Sequence, residues 1–196
     1  MIEAIVLAAG ASSRMGRAKA TLALGPGGPT FVVAIEATLR ASGVSLWRVV
    51  VAPGLAHRDA RAVLNPDAHT GMLSSVQCGL RALGPGVDAA LVWPVDHPLV
   101  ERETILAMVD AFGSGNAPVV VPTYLGRRGH PVLFAARTFP ELLAADPASG
   151  ARAVVHAHDD RVELEVRDRG VTEDIDTPED YERAFGAPSP APSEVA

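Results

Sequence analysis

Lysine, cysteine and aromatic side chains are all scarce in this chain of 196 residues, and each scarcity excludes something. Cys78 is the one cysteine, so an internal disulfide is excluded and no CxxC partner exists for a metal site. In the run Ser75-Val76-Gln77-Cys78-Gly79-Leu80 it is expected as a small buried helix residue. No apolar run approaches the roughly 18 residues that a spanning helix needs. The start, Met1-Ile2-Glu3-Ala4, lacks a basic leader region, so a soluble, cytoplasmic protein without membrane contact is expected. A formal net charge of -6 argues against nonspecific binding to nucleic acid, and anionic ligands must then be held by local positive charge. Zinc is disfavoured too: His156 and His158 are two apart, not four, and are expected on the surface. There is no G-x-S-x-G elbow, which removes the serine hydrolase reading.

What remains is ordinary globular composition, 48% hydrophobic and 20% charged, at a length that suits one well-cored domain. Strand-like and helix-like segments alternate along it. Strands are expected over 2–7, 47–52, 89–93, 119–121 and 161–166 from short β-branched or alternating runs. Helices are expected over about 30–41, 74–83 and 101–112, and a last one runs from the cap Thr177, with Pro178 at its first position, to Gly186. The polar turn 124–131 before Val132-Leu133-Phe134 suggests a hairpin. This alternation argues an α/β layered domain with a mostly parallel sheet. One domain over 1–186 is expected, with a disordered Pro- and Ser-rich tail over 187–196.

Positive charge elsewhere in the chain is arginine, so the single lysine marks a place that needs a compact, mobile ammonium. Lys19 closes the segment Leu7-Ala8-Ala9-Gly10-Ala11-Ser12-Ser13-Arg14-Met15-Gly16-Arg17-Ala18-Lys19, into which the strand 2–7 empties. Small residues at Ala8, Ala9 and Gly10 let backbone N–H groups come close to a ligand. Ser12, Ser13, Arg14 and Lys19 supply hydroxyls and cations suited to phosphate oxygens. The alternative is a plain strand-to-helix turn with solvated charges. The segment is neither a Walker A loop, since Gly10 and Gly16 are one residue too far apart, nor a dinucleotide fingerprint, since Ser12 replaces the second glycine.

Carboxylates suited to a hard divalent cation lie further on. Asp96 in Trp93-Pro94-Val95-Asp96-His97-Pro98 follows an apolar strand, at the carboxyl edge where open α/β sheets place ligands. Its competing role is to cap the helix near Glu101. Asp174 and Asp176 alternate about Ile175, so an extended backbone sends both to one face, where one can close on the metal. Helix N-terminal charge is the competing role for Asp174.

The first loop resembles closely the L-A-A-G-x-S-x-R-M-G-x-x-K signature of the molybdenum-cofactor cytidylyltransferase and guanylyltransferase family. The Asp96-His97-Pro98 and Asp176-Thr177-Pro178-Glu179-Asp180 segments resemble its metal-binding D-x-P and T-P-E-D segments. The resemblance covers about 1–185 and implies a single three-layer, Rossmann-like domain of the nucleotide-diphospho-sugar transferase type. It implies Arg14, Lys19 and Asp96 as catalytic groups, with Mg2+, or Mn2+ in its place, on Asp96 and Asp176. Leu7, Ala8, Ala9, Gly10, Ser12 and Ser13 then bind nucleotide. So do Asn65, Gly71, Ser74 and Ser75, in a loop similar to the family's nucleoside-recognising one, although both serines read equally as helix caps. An A-A-G loop goes with pyrimidine and A-G-G with guanine in the family, so Ala9 implies CTP. Arg127, Arg128, Gly129, His130 and Asp174 are implied at a phosphorylated, molybdopterin-type acceptor, with His130 either binding it or fixing the turn. A molybdenum hydroxylase is the implied recipient of the product. The alternatives are a guanylyltransferase, a sugar- or polyol-phosphate nucleotidyltransferase of the same fold, and a nucleotide-binding chaperone that inserts cofactor without turnover.

Overall fold

A computed structural model describes residues 1–10, 15, 18–54, 60–147 and 149–189. Among these residues eight strands form one mixed sheet: β1 (Ile2–Leu7), β2 (Leu46–Val51), β3 (Ala62–Leu64), β4 (Ala89–Pro94), β5 (Val119–Tyr124), β6 (Arg127–Arg128), β7 (Val132–Ala135) and β8 (Val162–Glu165). Their order is β3-β2-β1-β4-β7-β5-β6, and β8 pairs with β5 as well. The β1–β2, β1–β4, β2–β3 and β5–β8 pairs are parallel, whereas β7 runs against both β4 and β5 and β6 runs against β5. The sheet is thus parallel but for one returning arm, as the alternation of elements leads one to expect.

Among the described residues six α-helices cover its faces: α1 (Phe31–Ala41), α2 (Met72–Arg81), α3 (Arg102–Gly113), α4 (Phe139–Ala144), α5 (Gly150–Ala157) and α6 (Pro178–Phe185). Strand β1 shows why there are three layers. Its side chains alternate between faces, so Ala4 and Val6 pack with Phe31, Ile35, Ile105 and Tyr181 of α1, α3 and α6. Ile5 and Leu7 pack with Leu73, Val76, Leu142 and Val155 of α2, α4 and α5 on the opposite face.

Helix ends follow local chemistry. Thr30 caps α1, accepting from Val33 N, and α6 has a full capping box between Thr177 and Asp180 before Gly186 closes it at φ 64°. Two expectations are corrected, and one competing role is removed. Helix α2 starts at Met72, not Ser74, because Gly71 at φ 118° turns the chain; Ser74 and Ser75 lie inside its first turn. Cys78 is half-buried rather than buried, and its thiol donates to Leu64 O at 3.5 Å. The N-terminus of α3 is served not by Asp96 but by Asp168, which accepts from Glu101 N at 2.8 Å and Thr104 Oγ1 at 2.7 Å. The expected tail falls mainly on residues outside the described ones.

The hairpin is a two-residue turn, with Leu125 and Gly126 both at positive φ (49° and 73°), a combination met in type I′ turns. Register then slips, from Thr123 opposite Arg128 to Val120 opposite Leu133, so that the arm bulges at Gly129, His130 and Pro131. Gly129 is obligatory there, since a Cβ would lie 2.1 Å from Val171 O. The bulge docks through His130 N to Val171 O at 2.8 Å, and the same segment continues to Ile175, whose N–H donates to Asp96 O at 2.8 Å. Those two bonds bring the hairpin arm, Asp176 and the end of β4 to one place.

Candidate active site

The carboxyl ends of β1 and β4, side by side in the sheet, open onto a cleft of about 360 Å³. Leu7, Ala9 and Gly10 line it from β1, Pro94, Val95 and Asp96 from β4, and Gly71, Met72 and Ser75 from the start of α2. Lys19 and Asp176 complete its charged side. The ammonium of Lys19 donates to Asp96 Oδ2 at 3.2 Å and is paired with Asp176 Oδ1. The Lys19 side chain is only 11% exposed, so these charges attract one another under weak screening.

Asp96 has one oxygen to spare. Its Oδ1 is buried without a hydrogen-bond partner, and His97 Nε2 lies 4.0 Å from it. His97 is itself held, with Nδ1 3.4 Å from Gly170 O and its carbonyl accepting from Trp93 Nε1 at 3.0 Å. Its ring lies against that of His130, centroids 4.9 Å apart. Burial, and then the neighbouring His97, push the His130 imidazole down to about 4 against the opposing pull of Asp96, so His130 is neutral at physiological pH. Its Nδ1 is buried and unpartnered.

A second cavity of about 750 Å³ adjoins the first, with Met72 and Pro94 lining both. Arg128, Gly129 and His130 reach this one. Arg128 is already engaged by Glu163, donating from Nε at 2.9 Å and Nη2 at 2.6 Å, and those bonds with those of Arg161 hold the Glu163 carboxyl below its usual range.

Of the other residues singled out from sequence, Ala8 is buried beside the cleft with its N–H donated to Val50 O. Asn65 is 2% exposed and its amide donates to the hydroxyls of Ser74 and Ser75, so it braces the loop before α2 from behind the wall. Ser74 donates to Gly71 O and Asp67 O and does not line the cleft. Arg127 and Asp174 are exposed and line neither cavity, whereas Asp176 pairs with Lys19, so the two acids flanking the buried Ile175 are not brought to one site as expected. Ser12, Ser13 and Arg14 lie outside the described residues. Sequence reasoning missed His69 and Met72 in the first cavity and Arg152 and His156 in the second. Only the last pair carried a signal, being four residues apart in a segment with apolar Val154 and Val155 between.

Comparison with known proteins gives the family to which this fold belongs. Residues 4–162 match the family model described as the MobA-like NTP transferase domain, a span that includes Asp96 and stops short of Asp176. A 2-C-methyl-D-erythritol 4-phosphate cytidylyltransferase of Streptomyces avermitilis is 36% identical over 135 residues, 61% of this chain but only 52% of that enzyme. A probable molybdenum cofactor guanylyltransferase of Mycobacterium avium is 37% identical over 121 residues, 60% of this chain and 61% of its own length. The Bacillus subtilis purine catabolism protein PucB is 29% identical across 91% of this chain and 93% of that protein. Among solved structures, Rv0371c of Mycobacterium tuberculosis superposes with a TM-score of 0.80 at 26% identity, covering 95% of this chain and 97% of that one. Its manganese complex superposes at 0.75. No helix among the described residues is long and apolar enough to cross a membrane. The chain belongs to the MobA-like NTP transferases, nucleotidyltransferases with the nucleotide-diphospho-sugar transferase fold.

Proposed function

We propose that this chain, as one domain over residues 1–186, transfers the cytidylyl group of CTP to the phosphate of a molybdopterin-type acceptor and releases pyrophosphate. The observation that carries the reading is the Lys19, Asp96 and Asp176 cluster at the carboxyl edge of β1 and β4. An acceptor phosphate oxygen forms a bond to the α-phosphorus as the bond to the pyrophosphate oxygen breaks, and both reacting groups are anions. Lys19 supplies a point charge for the triphosphate, and the cleft aligns the two substrates.

Asp96 and Asp176 suit a divalent cation of the magnesium kind. That ion takes one or two carboxylates and completes its shell from phosphate and water, and Asp96 Oδ1 is buried with no protein donor. Held there, Mg2+ would neutralise charge on the phosphates. A structural relative complexed with manganese supports divalent metal binding in this family.

Ala9 supports CTP, because its methyl lines the cleft where a glycine would leave more room for a purine. The guanylyltransferase relative supports GTP instead. Pyrophosphate release measured with CTP, GTP, ATP and UTP, purified molybdopterin and Mg2+ decides between them. CTP is expected to lead, and Ala9→Gly to admit GTP by a modest factor, since one methyl discriminates by only about 1–3 kcal/mol. A wild type that favours GTP moves the chain to the guanylyl reaction. CTP binding without pyrophosphate release makes it a carrier that delivers cofactor, for instance to a molybdenum hydroxylase, rather than an enzyme.

A further inference from the structure

The cavity beyond Met72 and Pro94 is shaped and charged for a particular kind of molecule. Its floor is apolar, formed by Val92, Val132 and Phe134 of the sheet with Val155 of α5, and its 750 Å³ suits a small organic ligand. Its charged lining is all basic among the described residues, in a chain whose net charge is -6. Arg128 is committed to Glu163. Arg152 and His156, one turn apart on α5, are not: neither makes a hydrogen bond or ion pair with any described residue. The α5 N-terminus, at Ser149 and Gly150, opens on the same space with no side-chain cap. At the Asp96 end, His130 lines the same space.

We propose that α5 selects the acceptor: Arg152 and His156 donate hydrogen bonds to the electron-rich edge of a flat body that lies on Val92, Val132 and Phe134, so that the molecule's phosphate is left to meet the nucleotide beside Asp96. The class is a phosphomonoester with a flat, ring-sized body, not a bare sugar or polyol phosphate. The assignment rests on the nucleotidyl-transfer reading only in naming that molecule the acceptor. Two cavities joined at Met72 and Pro94 give each substrate its own chamber and let them meet beside Asp96. Arg152 and His156 are specificity residues that belong to the second chamber alone.

Riboflavin 5′-phosphate, a phosphomonoester with a flat ring body, serves as binding probe through its fluorescence. It is expected to bind the wild-type chain, to resist displacement by CTP or glycerol 3-phosphate, and to bind roughly tenfold or more weakly in Arg152→Ala and His156→Ala. Arg152→Lys should recover part of the loss. Both positions are exposed, so melting temperatures should stay unchanged. Unaltered probe affinity in both alanine variants, or full displacement by CTP, overturns the assignment. In turnover with molybdopterin, the same variants should raise the acceptor KM and leave kcat and the CTP KM alone; an unchanged acceptor KM also overturns it. Probe binding that depends on α5 in a protein with no turnover on any nucleotide refutes the transferase reading while supporting the cavity assignment.

Discussion

Two side chains show how much single residues contribute. Lys19 stands within one ammonium's reach of both Asp96 and Asp176, a place where a flexible point charge fits and a planar fork does not. Lys19→Arg should fold with an unchanged melting temperature and lose at least about tenfold in pyrophosphate release; wild-type turnover would show that any cation suffices. His130 gives a pH dependence. Its folded pKa of about 4 lies below the ordinary 6.5, so the unfolded chain binds the proton more readily between those values. The stability is fully present above about pH 6.5 and is lost as pH falls toward 4. By pH 5 the loss amounts to about 2 kcal/mol from this residue. Urea denaturation at pH 7.5 and 5 should show that difference in the wild type and a smaller one in His130→Gln; equal losses would place the acid sensitivity elsewhere.

At the scale of elements, α2 joins the core to the cleft, because its buried face packs on β1 while Met72 and Ser75 line the cavity. Gly79 sets how close that helix lies: a Cβ there would meet Ile5 Cγ2 at 2.3 Å and Val50 Cγ2 at 3.2 Å. Alanine gains about 1 kcal/mol of helix propensity and costs about 1–3 kcal/mol in overpacking. Ile5 is wholly buried at the centre of the sheet, so the cost should prevail. Gly79→Ala is expected to lower stability by about 1–2 kcal/mol and to weaken CTP binding by pushing α2 outward; a more stable variant would mean that the interface yields. Elements with strong local signals were legible in the sequence. β4 is a continuous apolar run and β1 is one but for Glu3, and α1 and α6 carry their own caps, so the placement of Lys19 and Asp96 at the sheet edge followed from the chain order. The three-residue β3 and the short α4 and α5 offer too few residues for a period to emerge, and with α5 went Arg152 and His156. The cap on α3 was illegible for another reason, since Asp168 reaches Glu101 across 67 positions and only the tertiary fold brings them together.

At the scale of the whole molecule, the two halves of the chain meet at one charge cluster, with Lys19 from the first loop, Asp96 from the central strand and Asp176 from the segment leading to α6. A divalent cation drawn to those carboxylates meets an ammonium already among them. At about 4 Å and an effective dielectric near 20, a dication and an ammonium repel by several kcal/mol, so metal alone should bind weakly. A triphosphate changes the balance by offering Lys19 other anionic oxygens, and metal and nucleotide should then each strengthen the other's binding by the same factor. Thermal unfolding tests this through linkage, because each bound ligand raises the melting temperature according to its affinity. Mn2+ with CTP should raise it by more than the sum of the separate shifts. In Lys19→Met, with the carboxylates no longer neutralised, Mn2+ alone should bind more tightly and the excess on adding CTP should shrink, which Mn2+ titration by electron paramagnetic resonance reads directly. Equal Mn2+ affinity with and without CTP in the wild type would show that Lys19 does not couple the two sites.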